Sequence, residues 1–273
     1  MAGALRLRVF AGPNGSGKTT IINDVRKARV NGRGIDFGLY INADDIARAL
    51  PKGVDLRPFD VPLNEARFKA FAAHSGLLGN GLSRFRLRKS LVWYPDRVRS
   101  RRRAPLDRIA QLLAQYLYHE LLKAKRKFTL ETVFSHPGKL SLMKQAKEDG
   151  YKVYLYFVST ADPAINVERV KEVRVKEGGH DVPKDKIIRR YHRTMANLNA
   201  AMNLAYHAFL WDNSNFGSSS LFCEMKRTDG GVKWDIDADQ VPVWFVEHFL
   251  RHHPDDPTLS RVHQAVLKRL SKD

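Results

Sequence analysis

Short apolar segments alternate with amphipathic segments along most of the chain. Five apolar runs have the length and the β-branched and aromatic content of strands, and they cover residues 5–11, 37–44, 127–135, 151–159 and 206–214. Helical spacing of apolar residues separates them, at 18–29, about 105–125, 138–148, 163–176 and 184–204. Strands that alternate with helices indicate a parallel sheet with helices on both faces. The pattern therefore predicts an α/β fold.

The alternation breaks down in two places. After the fifth strand, "LFCEMKR", the turn "TDGG" and "VKWDID" predict a hairpin, and two amphipathic segments beyond it predict closing helices. Residues 51–104 also fit the alternation poorly, and we interpret them as an insertion, part of it a mobile loop. We expect one domain, residues 1–273, with the insertion at about 51–104 and a C-terminal extension at about 215–273.

A glycine-rich segment lies between the first predicted strand and the first predicted helix. Residues 12–19, "GPNGSGKT", match the phosphate-loop pattern G-x-x-x-x-G-K-[ST] without a mismatch. In that pattern glycines let backbone N–H groups point at phosphate oxygens, the lysine reaches the β- and γ-phosphates, and the hydroxyl after it binds Mg²⁺. The residues expected to bind ATP here are Gly12, Asn14, Gly15, Ser16, Gly17, Lys18, Thr19 and Thr20.

The rest of the sequence narrows the class of phosphate-loop protein. A transporter ATPase would carry an LSGGQ-like signature, and a GTPase would carry an N-K-x-D segment; the sequence has neither. The remaining class is the nucleotide-kinase-like group, which transfers a phosphoryl group to a small substrate. We therefore expect a P-loop kinase-like parallel sheet of strand order 2-3-1-4-5.

Carboxylates stand at the carboxyl ends of two predicted strands. Asp44 and Asp45 follow the second strand, and Glu131 lies in the third. Because these strand ends converge on the ligand crevice of a parallel sheet, Asp44 and Glu131 are expected to face the phosphates. One would accept the proton of the substrate hydroxyl, and the other would hold Mg²⁺ or orient the first. For Asp45, capping of the following helix is the favoured interpretation.

Basic residues follow the fourth predicted strand. A helical segment there is broken at Gly178-Gly179-His180 and resumes after Pro183. In kinases of this build, such a segment covers the nucleotide, and its arginines neutralise charge as the γ-phosphoryl group departs. The alternative is that they are solvated side chains on amphipathic helices. The five arginines are Arg169, Arg174, Arg189, Arg190 and Arg193.

The net charge points to anionic partners. Lys and Arg number 47 against 29 Asp and Glu, a formal charge of +18. Such a balance favours polyanions or nucleotides, although a basic surface without a specific role is the alternative. Nine basic residues crowd into 84–103 together with Phe85, Trp93 and Tyr94, which could stack on bases.

Other compositional features set the expected compartment. Cys223 is the only cysteine, so no internal disulfide can form. No apolar run approaches the 18 or so residues of a membrane span, and Arg6 and Arg8 interrupt the start of the chain where a signal peptide has its apolar centre. We expect a cytoplasmic protein.

Six sequence blocks together resemble the zeta-toxin-like P-loop kinases, and more narrowly their stand-alone GGHxVP branch. The blocks are "VFAGPNGSGKTTII", "INADDIA", "FTLETVFSHPGKL", "AKEDGYKVYLYFVSTADPAINVERVKEVRVKEGGHDVP", "IIRRYHRTMANL" and "WDNS", in that order. The resemblance implies transfer of the ATP γ-phosphate, with Mg²⁺, to the sugar 3′-hydroxyl of UDP-N-acetylglucosamine. It also implies that a separate protein antitoxin holds the enzyme.

The resemblance assigns further roles by position. Lys18 and Thr19 match the phosphate-loop pair, and Asp44 matches the catalytic aspartate. Glu131 and Thr132 match the acidic and hydroxyl positions that orient the base and touch the substrate; Thr19 and Glu131 are the expected Mg²⁺ ligands. Either Arg169 or Arg174 would match a phosphate-binding arginine. Thr132, Ser135 and His180 are the expected substrate-binding residues, and His180 departs from the family because the cell-wall-poisoning members carry an arginine there, a part that Arg190 could take.

We therefore expect an ATP- and Mg²⁺-dependent phosphotransferase that acts on a hydroxyl of a small, anionic, nucleotide-linked acceptor, with a UDP-N-acetylsugar as one candidate. The first alternative is a nucleic-acid-directed kinase or ATPase that uses the cluster at 84–103. The second is a nucleotide-gated binding protein whose basic insertion docks an acidic antitoxin.

Overall fold

The computed structural model describes residues 4–79, 82–174 and 182–271. Its strands are β1 (Arg6–Ala11), β2 (Arg29–Val30), β3 (Arg33–Gly34), β4 (Leu39–Asn42), β5 (Val54–Asp55), β6 (Leu91–Trp93), β7 (Arg97–Ser100), β8 (Phe128–Thr132), β9 (Lys152–Ser159), β10 (His207–Asp212), β11 (Ser220–Thr228) and β12 (Gly231–Ile236). Its helices are α1 (Lys18–Lys27), α2 (Ala43–Ala49), α3 (Glu65–His74), α4 (Arg84–Ser90), α5 (Leu106–Lys123), α6 (Gly138–Glu148), α7 (Pro163–Arg169), α8 (Lys184–Ala196), α9 (Leu198–Leu204), α10 (Val243–His248) and α11 (Pro257–Leu270). The chain divides into two compact units, one formed by Met1–Ile35 with Thr132–Asp273 and the other by Asp36–Glu131.

The first unit is built on a sheet in which three parallel strands continue into a hairpin. β9 lies between β1 and β10 and pairs in parallel with both. β11 then pairs antiparallel with β10, and β12 antiparallel with β11. The first, fourth and fifth predicted strands are therefore neighbours in the predicted order, and the predicted hairpin extends the sheet at the β10 side.

Apolar side chains from helices and strands form the core of this unit. Leu7 and Val9 on β1 and Leu155 and Phe157 on β9 are at most 1% exposed. Helices α1, α6 and α9 all contact β9. Trp244 of α10 packs against Phe157, which ties the C-terminal helices to the same core. Burial of these side chains is the main stabilising term of the unit.

The second unit contains the remaining parallel pair. β4 pairs in parallel with β8, from Leu39 opposite Phe128 to Asn42 opposite Glu131. These are the second and third predicted strands, neighbours as the order 2-3-1-4-5 requires. Helix α5 packs on α2 and α3 in this unit, and eleven of its residues are buried. The predicted α/β fold with a mostly parallel sheet is thus confirmed.

Regular structure fills the segment 51–104, which the sequence pattern left unassigned. Helices α3 and α4 lie here, and β5, β7 and β6 form a small antiparallel sheet in that order. Phe68 packs against Trp93 and Tyr116, with ring centroids 5.3 and 5.4 Å away. The strands have two to four residues each, too few for a period-two pattern to be visible in the sequence.

Two predicted helices end earlier than their sequence periodicity suggests. The segment 163–176 is α-helical only to Arg169 and continues as a π-helical turn over Val170–Arg174. The segment 184–204 divides at Asn197, whose side-chain amide donates to the carbonyl oxygen of Phe134 at 2.9 Å. In the described part of the chain, no helix combines the length and apolar character needed to cross a membrane.

Candidate active site

The phosphate loop joins β1 to α1 in the first unit. The buried strand β1 ends at Ala11, and α1 begins at Lys18, directly after Gly17 with φ of 88°. A Cβ atom on Gly17 would lie 2.2 Å from Nδ2 of Asn213, and one on Gly12 would lie 2.1 Å from the Val158 carbonyl oxygen. A side chain at either position would clash with these atoms and displace the loop from Val158 and Asn213. The glycines thus let the backbone lie flat against β9 and the turn after β10.

Lys18 lies inside the loop that precedes it. Its ammonium group donates to the carbonyl oxygens of Gly12 at 2.9 Å and of Pro13 at 2.8 Å, and the residue is only 8% exposed. The charge is therefore fixed at the amino end of α1, where the helix dipole adds positive potential. This is the arrangement in which a lysine meets the terminal phosphates of a nucleotide.

Asn166 on α7 supports the first half of the loop. Its side-chain amide donates to the carbonyl oxygen of Asn14 at 2.8 Å, and its side-chain oxygen accepts from the hydroxyl of Thr160. Asn166 is fully buried. Its own carbonyl oxygen lies 2.7 Å from where a Cβ atom on Gly15 would be, so α7 packs directly against the loop. A buried amide with both ends paired fixes the loop in one conformation.

Asn213, in the turn after β10, supports the second half of the loop. Its side-chain amide donates to the carbonyl oxygen of Ser16 at 2.9 Å, and its backbone N–H donates to Ser159 at the end of β9. Asn166 and Asn213 were not among the predicted site residues. The signal for Asn213 was its place in "WDNS", a polar run that directly follows a predicted strand.

Arg169 holds the turn that carries Asn213. Its guanidinium group donates to the backbone carbonyl oxygens of Asn213 at 2.7 Å, and of Ser214 and Asn215 at 3.3 Å each. Three backbone acceptors satisfy much of the donor capacity of one guanidinium group. In this structure the predicted phosphate-binding arginine therefore positions the turn after β10.

Of the predicted arginines on α8, Arg190 approaches the loop, whereas Arg189 is exposed and pairs with Asp185 on its own helix. Nη1 of Arg190 lies 3.5 Å from Oδ1 of Asn14. A small core of Val167, Val170 and Ile187 fixes α8 against α7 and the π-helical turn. Arg190 thus lies beside the phosphate loop that carries Asn14 and Lys18. Residues 175–181, which include the predicted substrate residue His180, lie outside the described residues, and the side chain of Arg174 is not described.

The predicted substrate residues Thr132 and Ser135 lie on a constrained turn in the first unit. Phe134 between them is buried and has φ of 62°, a left-handed conformation that costs free energy in a non-glycine residue. The Thr132 hydroxyl oxygen accepts from the backbone N–H of Phe134 at 3.1 Å. Thr194 and Asn197, at the end of α8, donate to the carbonyl oxygens of Val133 and Phe134. Helix α8 therefore positions this turn as well as Arg190.

In the second unit, Glu131 sits in a hydrogen-bonded group that sequence reasoning missed. The Tyr40 hydroxyl donates to its carboxylate, and Nδ2 of Asn42 donates to the same oxygen at 2.8 Å. The register explains the contact, because Asn42 on β4 is directly opposite Glu131 on β8. Burial, together with the charge of Glu131, raises the pKa of Tyr40, so this hydroxyl stays protonated and donates. The carboxylate is thereby fixed in orientation.

Asp44 and Asp45 occupy the first turn of α2. The helix cap is Asn42, whose side-chain oxygen accepts from the backbone N–H of Asp44 at 2.8 Å. The prediction that Asp45 caps this helix is therefore wrong: Asp45 lies inside the helix and pairs with Arg48 one turn on. The chain enters the helix three residues earlier than expected, because Asn42 already has the extended backbone that a cap requires. Asp44 is exposed on that turn.

The residues of the phosphate loop fit a nucleoside triphosphate. The Ser16 hydroxyl is buried and has no hydrogen-bond partner in the described part of the chain, which leaves it available to a phosphate oxygen. Oxygen donors of the kind that Mg²⁺ prefers occur within each unit by itself: the Thr19 hydroxyl in the exposed first turn of α1 in the first unit, and the Glu131 carboxylate in the second. Within residues 4–79, 82–174 and 182–271, no group of three or more His, Cys, Asp or Glu side chains is placed to hold a metal.

A buried lysine in a glycine-rich loop between a strand and a helix, on a mostly parallel sheet, defines the P-loop kinase-like class of α/β proteins. Residues 102–211 match the zeta toxin family. This match confirms the resemblance to the zeta-toxin-like P-loop kinases that the six sequence blocks indicate.

Solved structures of the same fold include the AvrRxo1-ORF1:AvrRxo1-ORF2 complex. With sulphate ions it is 14% identical, with 98% of this chain and 77% of that chain covered and a TM-score of 0.53. With ATP it is 13% identical, with the same coverage and TM-score. An uncharacterized protein of Haemophilus influenzae (strain ATCC 51907 / DSM 11121 / KW20 / Rd) is 36% identical over 75 residues, 28% of this chain. The match spans about half of that relative, 53% of its length.

Proposed function

We propose that the protein is an ATP- and Mg²⁺-dependent phosphotransferase that transfers the γ-phosphoryl group to a hydroxyl of a small anionic acceptor. The observation that carries the proposal is the phosphate loop, which encloses the Lys18 ammonium group and is fixed by Asn166 and Asn213. A loop held in this way is already arranged for phosphates before the nucleotide binds. Little reorganisation of the loop is therefore needed during transfer.

In this proposal the first unit binds and stabilises the triphosphate. The loop N–H groups and Lys18 hold the β- and γ-phosphates, and Arg190 approaches from α8 to offset the negative charge that develops on transfer. Arg169 acts through the turn after β10, and Arg174 remains the candidate for direct phosphate contact. Thr19 is the candidate ligand for Mg²⁺ in this unit, and the metal would supply charge neutralisation at the phosphates.

The second unit supplies the carboxylates. Asp44 accepts the proton of the acceptor hydroxyl as the general base. Glu131, oriented by Tyr40 and Asn42, serves as a metal ligand or positions the base. Thr132 and Ser135 on the constrained turn contact the acceptor. The zeta-toxin resemblance makes UDP-N-acetylglucosamine the first acceptor to test, and a protein antitoxin the first partner.

A labelling experiment tests the proposal. The protein is incubated with Mg²⁺ and γ-labelled ATP, and with UDP-N-acetylglucosamine, other nucleotide sugars or RNA oligonucleotides in separate reactions. We expect label on a small acceptor and none with Lys18→Ala, because losing a charge contact to the β- and γ-phosphates costs several kcal/mol in the transition state. Lys27→Ala is the matched control, since Lys27 is exposed at the other end of the same helix.

Each other outcome points to a different function. Label on RNA ends alone would favour a nucleic-acid-directed kinase. Binding of ATP without transfer to any acceptor would favour a nucleotide-gated binding protein. Near-normal transfer by a folded Lys18→Ala variant would refute phosphate-loop chemistry altogether.

A further inference from the structure

A cavity of about 270 Å³ lies in the second unit, and none of the residues that line it is assigned to catalysis above. Residues of α3, α4 and β6 line it, all of them before the segment that matches the zeta toxin family. Its volume is close to the lower end of the range of roughly 300–1,000 Å³ that is usual for small-molecule sites. The size suits a compact ligand rather than a polymer.

The inner wall of the cavity is apolar and includes one flat ring. Phe68, Leu87 and Leu91 are each at most 6% exposed and contribute aliphatic or aromatic surface. Trp93 also lines the cavity and is only half-buried, with its indole ring tilted against the Phe68 ring at 5.3 Å. A partly exposed indole within an apolar wall is a surface on which a flat aromatic group can stack.

Cationic side chains line the same cavity. Arg84 and Arg88 are exposed and stand four residues apart on α4, so their like charges are neighbours on one helix face. In the described part of the chain, neither guanidinium group forms a hydrogen bond or ion pair. The third cation, Lys69, pairs with the lining carboxylate Glu65 at 2.6 Å. Three cations against one carboxylate leave two uncompensated positive charges beside an apolar wall.

We propose that this cavity binds a small anion with a flat aromatic body. The body stacks on Trp93 and contacts the apolar wall, and a phosphate, sulfonate or carboxylate group is held by Arg84 and Arg88. Arginine suits this role because its planar fork of donors matches such oxyanions. An anion between the two arginines would also remove the repulsion that they now impose on α4.

The other basic residues of the segment are not part of this site. Phe85 is 67% exposed and carries Lys89 over its ring at 4.2 Å, and neither residue lines the cavity. Arg99 and Arg102 are exposed and do not line it either. In the cluster at 84–103, Arg84 and Arg88 therefore line the cavity and the other basic residues do not. Those other residues provide matched control substitutions.

Calorimetric titration of the full chain tests the proposal. The probe is 1-naphthyl phosphate, with 1-naphthol as the aromatic body without charge and inorganic phosphate as the charge without the body. Titrations are run at low salt in the Lys18→Ala background, which removes the phosphate-loop lysine. We expect 1-naphthyl phosphate to bind at least tenfold more tightly than either partial probe.

Substitutions then locate the binding. Arg84→Gln with Arg88→Gln should weaken binding about tenfold or more, because two charged donors are lost. Trp93→Leu should weaken it about threefold to tenfold through lost stacking. The control, Arg99→Gln with Arg102→Gln, removes the same charge from the same segment and should change binding less than twofold. Circular dichroism and thermal melting confirm that each variant is folded.

Several outcomes would overturn the proposal. Equal binding of 1-naphthol would show an apolar cavity with no anion preference. Equal losses in the control pair would show non-specific attraction by surface charge. Absence of binding by 1-naphthyl phosphate to the folded Lys18→Ala chain would show that the cavity is not a site for this class of ligand. None of these results bears on phosphoryl transfer, which is measured separately.

Discussion

Replacing Asn166 by aspartate would test the role of the phosphate-loop supports most directly. The amide donates to the Asn14 carbonyl oxygen at 2.8 Å and accepts from the Thr160 hydroxyl, in a fully buried position. Asn166→Asp keeps the shape and the acceptor but removes the donor. The ionised carboxylate would face a carbonyl oxygen across a hydrogen-bond distance, with no N–H between them.

The structure sets the size of the effect. A buried acceptor left without a donor costs about 1–3 kcal/mol, and the buried charge places this case at the upper end. At about 2–4 °C per kcal/mol for a chain of this size, about 3 kcal/mol lowers the Tm by roughly 6–12 °C. In the variant, the phosphate loop must be ordered when ATP binds. If this ordering costs about 2 kcal/mol of binding free energy, the affinity for ATP falls about 30-fold.

The effect should depend on pH with a defined sign. Burial raises the pKa of the introduced carboxyl group above its unfolded value of about 3.9. Between the two pKa values the folded state binds more protons than the unfolded state, so stability falls as pH rises. The penalty is complete above the folded pKa and is relieved as pH falls, because a protonated carboxyl can donate to Asn14. The Tm deficit should therefore be smaller at pH 5 than at pH 8.

Thermal melting at both pH values and calorimetry with a non-hydrolysable ATP analogue measure these quantities. Asn203→Asp is the matched control, since Asn203 is exposed on α9 in the same unit. Asn166→Ala removes both contacts without adding charge and should show a deficit independent of pH. A Tm within 2 °C of wild type, with ATP affinity within threefold, would refute the idea that Asn166 fixes the loop.

Three further predictions concern single side chains. Asp44→Asn should lower transfer about 10²–10⁴-fold while ATP affinity by calorimetry stays unchanged, because the amide cannot accept a proton; transfer within a few-fold of wild type would make Asp45 the candidate base. Tyr40→Phe should lower transfer about tenfold without changing ATP affinity, since Glu131 loses one of its two orienting donors; Tyr154→Phe, outside this group, is the control. Burial raises the pKa of the Cys223 thiol, so Ellman's reagent at pH 8 should label it only after unfolding, and rapid labelling of the native chain would contradict its burial.

The sequence predicted the features that depend on local pattern. Continuous apolar runs predicted β1, β9 and β10, and the turn "TDGG" predicted the hairpin of β11 and β12. The phosphate loop could be predicted because its residues are contiguous and its pattern is complete. These features follow from interactions between residues that are close along the chain.

The residues that escaped prediction act across long distances in the sequence. Asn166 and Asn213 contact the phosphate loop only because β9 lies beside β1 and β10 lies beside β9. Tyr40 contacts Glu131 only through the register of β4 and β8. Asn42 was overlooked as the cap of α2 because three polar residues in "NADD" all have the chemistry of a cap. Only the backbone conformation, which tertiary structure sets, decides among them.

The supports of the phosphate loop also determine when the loop becomes competent during synthesis. Asn166 follows its partner Asn14 by 152 residues, and Asn213 follows Ser16 by 197. The motif leaves the ribosome early, whereas the side chains that fix it emerge only after most of the chain. A nascent or prematurely released chain therefore carries the complete phosphate-loop sequence without the support that shapes it. In this chain topology the phosphate loop is complete in sequence long before the rest of the first unit can hold it in one conformation.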